Sequence, residues 1–168
     1  MLGITKIKPE EGAEAAGFIV SLAEQFIFAD YTEEGRAAFR EYVTASSLVG
    51  DDAENFAIIA RLQGSLVGIA KMKRKNHLSM LFIAAHCQGN GYGRRLLEAA
   101  VAECQARNPG VSSITANSSR FAFPFFLKQG FQAVAKEEDV HGIRFTPVRR
   151  ELAGPGPLLP TAGAGRRG

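Results

Sequence analysis

Cysteine and histidine are scarce in this chain, whose 168 residues include two of the first and three of the second. Cys87 and Cys104 form no Cys-x-x-Cys unit, and His77, His86 and His141 do not cluster, which argues against a disulfide framework and against a metal site. Long apolar runs are missing as well. No stretch reaches the roughly 18 apolar residues of a membrane helix, and Met1 to Pro9 has neither the basic start nor the apolar stretch of a secretory leader. No membrane partner and a cytoplasmic location are therefore expected. Charge of one sign is not in excess either, the net balance being +3. Lys71, Lys73, Arg74 and Lys75 form a short basic run, but no aromatic residues interleave with them. The run reads as a solvated strand end, and no nucleic-acid partner is expected.

With 46% hydrophobic and 22% charged residues, the chain has enough apolar material for one core of ordinary size. One domain over residues 1–152 is expected. Residues 153–168 mix Gly, Pro and Ala without an apolar period and are expected to stay disordered. No internal repeat is visible. Periodicity orders the rest: a strand over Ile4–Lys8, then a helix from Pro9 to about Ala29 with Ala16, Ile19, Val20, Ala23, Phe26 and Ile27 inward. Thr32 is placed to cap a second helix carrying Phe39, Tyr42 and Val43. Strands follow over Phe56–Leu62 and Leu66–Lys73, joined by a Gln63-Gly64-Ser65 turn, and a third runs from Leu78 toward Ala85. Arg94–Arg107 reads as an amphipathic helix, Val111–Asn117 as a strand and Phe121–Gln129 as a short helix. Two last strands are expected over Phe131–Lys136 and from Ile143 to about Leu152. The order implies an α/β fold with a mixed central sheet of about seven strands and helices on both faces.

The most informative segment is Gln88-Gly89-Asn90-Gly91-Tyr92-Gly93, a glycine-rich turn between an apolar strand and a helix that opens on Arg94. Such a turn brings backbone close to a ligand, and the first amides of the helix point outward with partial positive charge, so an anion is expected there. A dinucleotide fingerprint fails, because the required glycine positions hold Arg94 or Leu96. A Walker loop fails too, since Gly93 is followed by Arg94 and Arg95. Taken alone, the turn also fits a helix that merely packs closely on a sheet.

The segment resembles the pyrophosphate loop of the GCN5-related N-acetyltransferase (GNAT) superfamily, with Gln88, Gly91 and Gly93 at the motif positions. The flanks are similar in order and spacing: Leu81-Phe82-Ile83 before the loop, and Asn117, Ala122, Phe125, Phe126, Gly130 and Phe131 after it. The resemblance spans roughly residues 4–152. It implies a single GNAT-like domain with acetyl-CoA as acyl-donor cosubstrate and a small-molecule or peptide amine as acceptor, in a monomer or homodimer. It further implies that Gln88, Gly89, Asn90, Gly91, Tyr92, Gly93 and Arg94 hold the pyrophosphate. The main chain near Phe82, Ile83 and Ala84 would face the pantetheine arm and the thioester, with Asn117 and Phe126 beside them.

The implied activity is N-acetyl transfer to a primary amine by direct attack. One position departs from the family pattern. Many relatives carry Tyr where this chain has Phe126, and a phenyl ring donates no proton to a departing thiolate. That substitution motivates an alternative, an acetyl-CoA-binding regulatory module with little turnover. For the base, His77 is the candidate whose ordinary pKa suits proton transfer near neutrality. His86, His141, Glu54 and Ser79 carry no distinguishing feature, and Cys87 lacks an evident partner base.

Overall fold

A computed structural model describes residues 1–153, so the tail expected to be disordered lies, from residue 154 on, outside the described residues. Strand β1 (Leu2–Lys6) pairs antiparallel with β2 (Phe56–Leu62), β2 with β3 (Ser65–Lys73), and β3 with β4 (His77–Ile83). The β2–β3 turn is tighter than expected: Gln63 and Gly64 alone form it, at φ 51° and 84°, while Ser65 already pairs with Leu62. Two positive-φ residues are what a two-residue hairpin needs to follow the twist of its strands. Beyond β4, β5 (Ser113–Ser118) runs parallel to it, and β8 (Ile143–Glu151) lies antiparallel to β5 with β6 (Gln132–Ala133) on its other side. A further strand, β7 (Glu138–Val140), pairs with the start of β8.

The sheet thus has eight strands in a mixed, open arrangement with helices on both faces. The additional strand was invisible to periodicity because Glu138-Asp139-Val140 is exposed throughout and is set by backbone pairing to β8. The expected Phe131–Lys136 strand shrinks to Gln132–Ala133 for the same reason: only these two residues form ladder pairs with β8, and Val134 N–H adds one further bond to Pro147 O at 3.0 Å.

Helix α1 (Gly12–Phe26) follows a 3₁₀ turn at Pro9–Glu11 and buries Ala15, Ile19, Leu22 and Ala23. The inward stripe is therefore turned from the expected one; Ala16 and Val20 lie at its margin. α2 (Glu33–Tyr42) is capped as expected, with Thr32 Oγ1 accepting from Gly35 N–H at 3.1 Å. A one-turn helix, α3 (Ala45–Leu48), capped by Thr44, had no signal strong enough to be read. α4 (Tyr92–Arg107) begins two residues earlier than expected, and α5 (Phe123–Lys128) is shorter than the Phe121–Gln129 reading.

Alternation along the strands divides the core. Phe56, Ile58 and Ala60 face α4, which presents Leu96, Leu97, Ala100, Val101 and Cys104 to them. Ile59, Ile69 and Met80 face α1, meeting Ala15 and Ile19. Leu96 and Leu97 are fully buried, so truncating either to Ala costs about 2–5 kcal/mol.

One irregularity of the sheet positions everything that follows. β4 and β5 are in register only at His77↔Thr115 and Leu78↔Ala116; past these two pairs the strands diverge. Three bonds hold the closed end: Thr115 N–H to Asn76 O at 3.0 Å, Asn76 Nδ2 to Ser113 O at 3.0 Å, and His77 Nδ1 with Thr115 Oγ1 at 2.8 Å.

Candidate active site

The divergence of β4 from β5 leaves the second half of β4 without a neighbour on that edge. Backbone groups alternate sides along a strand, and Ala84 N–H bonds Val67 O of β3 at 2.8 Å. The main chain of Phe82 is therefore turned toward β3 as well, and that of Leu81 and Ile83 toward the gap. Of the three residues expected to offer backbone there, Ala84 is buried and committed to β3, while Ile83 faces the gap with its carbonyl accepting from Gln88 Nε2. Leu81, part of the matching strand flank, was not among the residues expected to offer backbone, because parity depends on pairing rather than on composition.

Two clefts meet over this edge. The larger, about 510 Å³, runs from the gap to the glycine turn and is lined by Phe82, Ile83, Gln88, Gly89, Gly91, Gly93, Arg94 and Phe126, all expected from the sequence. Leu22, Phe26 and Ile27 of the α1 end, with Ser119, Phe121, Phe125, Lys128 and Gln129, complete the wall. Of these, Phe125 belongs to the motif and Phe121 to the same phenylalanine run, read from the sequence as mostly core with some of its rings lining the pantetheine channel; the others were not singled out as site residues. Phe26 and Phe121 stack with centroids 4.4 Å apart, bridging α1 to the segment before α5. The smaller cleft, about 240 Å³, lies on the other side of the gap against α2 and β8 and contains Asn117. Ile27, Leu81, Phe82, Ser119, Ala122 and Phe126 line both and mark the junction.

The glycine turn lies at the far end of the larger cleft. Gly91 is the residue before α4, at φ 80°, and supplies no side-chain cap, in contrast to the Thr caps of α2 and α3. The amides of the first turn are left for an external acceptor. A Cβ built on Gly89 or Gly91 meets nothing within 4 Å, so the turn faces open space, whereas one on Gly93 would come within 3.1 Å of Phe125 Cε1. Gln88 Nε2 donates to Ile83 O at 3.0 Å and fixes the turn against the strand end. Arg94 and Lys128, both exposed, place positive charge on the cleft wall. These features fit a phosphate-bearing ligand with an extended apolar-to-polar arm. Asn90, whose Nδ2 donates to Cys87 O, and Tyr92, which packs on the core, do not line the cleft with their side chains.

His77 is not brought to either cleft. It sits at the closed end of the β4–β5 pair, and burial, helped by Arg74 and Lys73, pushes its pKa down to about 4. A neutral imidazole bonded to Thr115 is a strut there. His86 and His141 are exposed, Glu54 is exposed on the loop before β2, and Cys87 is a buried free thiol. Ser79 does line the smaller cleft, its hydroxyl donating to Lys71 O at 3.3 Å. Lys71 itself is buried, 6% exposed, so the basic run does not form a continuous solvated patch. Among the described residues no group of His, Cys, Asp and Glu is arranged to hold a metal, and no helix is long and apolar enough to cross a membrane.

A mixed sheet opened between two parallel strands, with an uncapped glycine turn at one end of the opening, defines the acyl-transferase architecture that the motifs resembled. The acetyltransferase (GNAT) domain model matches residues 27–152, and the chain belongs to that family. Among solved structures it is similar to a GCN5-related N-acetyltransferase from Rhodopseudomonas palustris, at 27% identity and a TM-score of 0.75, covering 89% of this chain and 95% of that one. The PaiA N-acetyltransferase of Thermoplasma acidophilum, solved with coenzyme A, shares the fold at 18% identity and a TM-score of 0.66, over 90% of this chain and 99% of that one. N-acetylglutamate synthase of Neisseria gonorrhoeae, solved with coenzyme A and N-acetyl-glutamate, shares it at 21% identity and a TM-score of 0.61, over 91% of this chain but 35% of that longer protein. No curated protein matches the chain. The family and its fold support acetyl transfer in general.

Proposed function

We propose that the protein is an N-acetyltransferase that binds acetyl-CoA in the larger cleft and admits a primary amine through the smaller one for direct attack. The observation that carries this reading is the meeting of the two clefts over the open edge of β4. The turn Gln88 to Gly93 and the first amides of α4 would take the pyrophosphate, with Arg94 and Lys128 adding charge at the rim. Ile83 and Leu81 main chain would align the pantetheine arm, and a free N–H on this edge would polarise the thioester carbonyl. The cosubstrate supplies the activated acetyl group.

Phe126 is buried at the junction and offers no proton. Ser119 is the polar side chain that both clefts share. Its Oγ accepts from Ala122 N–H at 3.1 Å, which leaves its hydroxyl hydrogen free to donate to a departing sulfur. No histidine or carboxylate lines the junction among the described residues, so the amine's proton leaves through water.

Thermal unfolding with acetyl-CoA, ATP and NAD tests the donor assignment, since a ligand that binds the folded state alone raises its stability by RT ln(1 + [L]/Kd). At a hundredfold excess over Kd the gain is about 2.7 kcal/mol, a rise of roughly 5–10 °C for a domain of this size. A rise with acetyl-CoA alone is expected. An equal rise with ATP would return the turn to a general nucleotide site, and binding without coenzyme A release across an amine panel would favour the regulatory module.

A further inference from the structure

Resting on the acetyl-transfer reading, the chemistry of the smaller cleft narrows the acceptor. Six aromatic rings wall it: Tyr31, Phe39, Tyr42, Phe82, Phe126 and Phe145. Its polar lining is limited to Ser79, Asn117, Ser119 and the two tyrosine hydroxyls; among the described residues no carboxylate, histidine, lysine or arginine lines it. An ammonium group entering this space finds no anion to pair with, and burying an unpaired charge is strongly unfavourable.

Two of the rings are already engaged. Phe39 packs edge-to-face with both Phe28 and Tyr31, and Lys73 Nζ already sits 5.1 Å from the Tyr42 centroid while donating to its hydroxyl at 3.2 Å. No charged side chain lines the cleft among the described residues. Lys71 and Lys73 lie on the Tyr42 side, and Asp30, beside Tyr31 but outside the lining, is 3.4 Å from Arg120, a guanidinium that Glu137 also holds at 2.7 and 2.8 Å. Tyr31 stays protonated, because burial and then Asp30 push its pKa up to about 12. In size the cleft, about 240 Å³, exceeds the roughly 150 Å³ that accommodates benzene and leaves room for a short side chain.

We propose that the acceptor is a small aromatic amine without other charged groups, taken as the free base. The nitrogen lone pair forms the bond to the acetyl carbon and the C–S bond breaks with its electron pair on sulfur. Nitrogen then gives one proton to water, and the thiolate takes one up. With no base in the wall, the reactive fraction is set in solution. At pH 7.5 about one in a thousand lysine-like amines is uncharged, whereas an arylamine is almost wholly so.

The test measures coenzyme A release by the full chain with acetyl-CoA and five amines: 4-methylaniline, 2-phenylethylamine, spermidine, glutamate and lysine. Expected is a kcat/KM for the two aromatic amines at least about tenfold above the other three. That for 4-methylaniline should be flat from pH 6 to 9, and that for 2-phenylethylamine should climb about tenfold per pH unit toward the amine's own pKa. Ala38 lies in the α2 wall of the cleft, and Ala38→Asp should shift the phenylethylamine-to-spermidine ratio toward spermidine by about tenfold, with the melting temperature showing that the variant folds. Preference of the unmodified protein for spermidine, glutamate or lysine would overturn the proposal. So would one inflection near pH 6–7 shared by both aromatic amines. No release with any amine, alongside a retained acetyl-CoA melting shift, overturns the acceptor class and leaves the donor cleft standing; loss of the shift itself would sink the acetyl-CoA reading.

Discussion

His77 and Ser119 show how a residue's role follows from its surroundings rather than its type. An imidazole is the group most suited to moving protons near pH 7, yet burial near Arg74 and Lys73 holds His77 at about 4. The unfolded chain binds a proton near 6.5, so unfolding is favoured as pH falls through that value. His77 therefore contributes fully above about pH 6.5 and its contribution is lost progressively between 6.5 and about 4. His77→Gln should flatten the slope of melting temperature against pH over that window, relative to the unmodified protein, and leave kcat/KM within about threefold. A loss of a hundredfold or more would restore a catalytic part for His77. Ser119 carries the opposite expectation. Ser119→Ala removes the junction's hydroxyl and should lower kcat by about 10–100-fold with acetyl-CoA affinity nearly unchanged, while Ser119→Thr recovers most of the rate. Because Oγ also receives Ala122 N–H, Ser119→Ala should cost about 0.5–1 kcal/mol of stability, which denaturant titration separates from the kinetic effect.

At the scale of elements, the position of α2 over the smaller cleft depends on two glycines that no motif singled out. The β7–β8 turn docks on the start of α2: Thr32 N–H donates to Gly142 O at 3.1 Å, and Gly142 N–H donates to Asp139 Oδ1 at 2.9 Å. Gly142 stands at φ 85°, and a Cβ there would run into Thr32 Oγ1; a Cβ on Gly35 would run into the Gly142 carbonyl. Either Gly→Ala change should push α2 off the hairpin, raise the acceptor KM by about tenfold and lower the melting temperature by a few degrees, with acetyl-CoA binding within about threefold. Equal losses on both substrates would argue against separate donor and acceptor clefts. Gly91 differs in kind. Space in front of it is open, so Gly91→Val should abolish acetyl-CoA binding by obstructing the backbone's approach, at a cost of about 1–2 kcal/mol for a β-branched residue at φ 80°. Unchanged affinity would sink the cradle.

Across the whole molecule, the sheet is secured at one end and open at the other. His77 and Asn76 tie β4 to β5, and the strands part after two pairs, so one structural event creates both clefts and their meeting point. Hydrogen exchange should report this asymmetry. Amides of Leu81 and Ile83 should exchange quickly in the free protein and become protected by acetyl-CoA, while Ile69 and Met72 in the buried middle of the sheet stay protected throughout. Protection of Leu81 and Ile83 without ligand would mean that the edge is already covered. The elements, their order and the donor-side turn were legible in the chain because apolar period and glycine spacing are local properties, repeated every few residues. So Thr32 caps α2, and Gln88, Gly91 and Gly93 lie where the motif places them. What lay beyond reading was set by distant partners. Pairing with β8 created β7 and cut β6 short; the Ala84 bond to Val67 decided which β4 backbone groups face the gap; burial removed His77 and Lys71 from the surface chemistry their side chains suggest. Sequence by itself determined the fold class and the glycine turn before α4, since both arise from short-range periodicity and backbone freedom. Tertiary structure alone decided which side chains share a cleft and in what state of charge, because proximity across the sheet and loss of water are properties of the packed molecule.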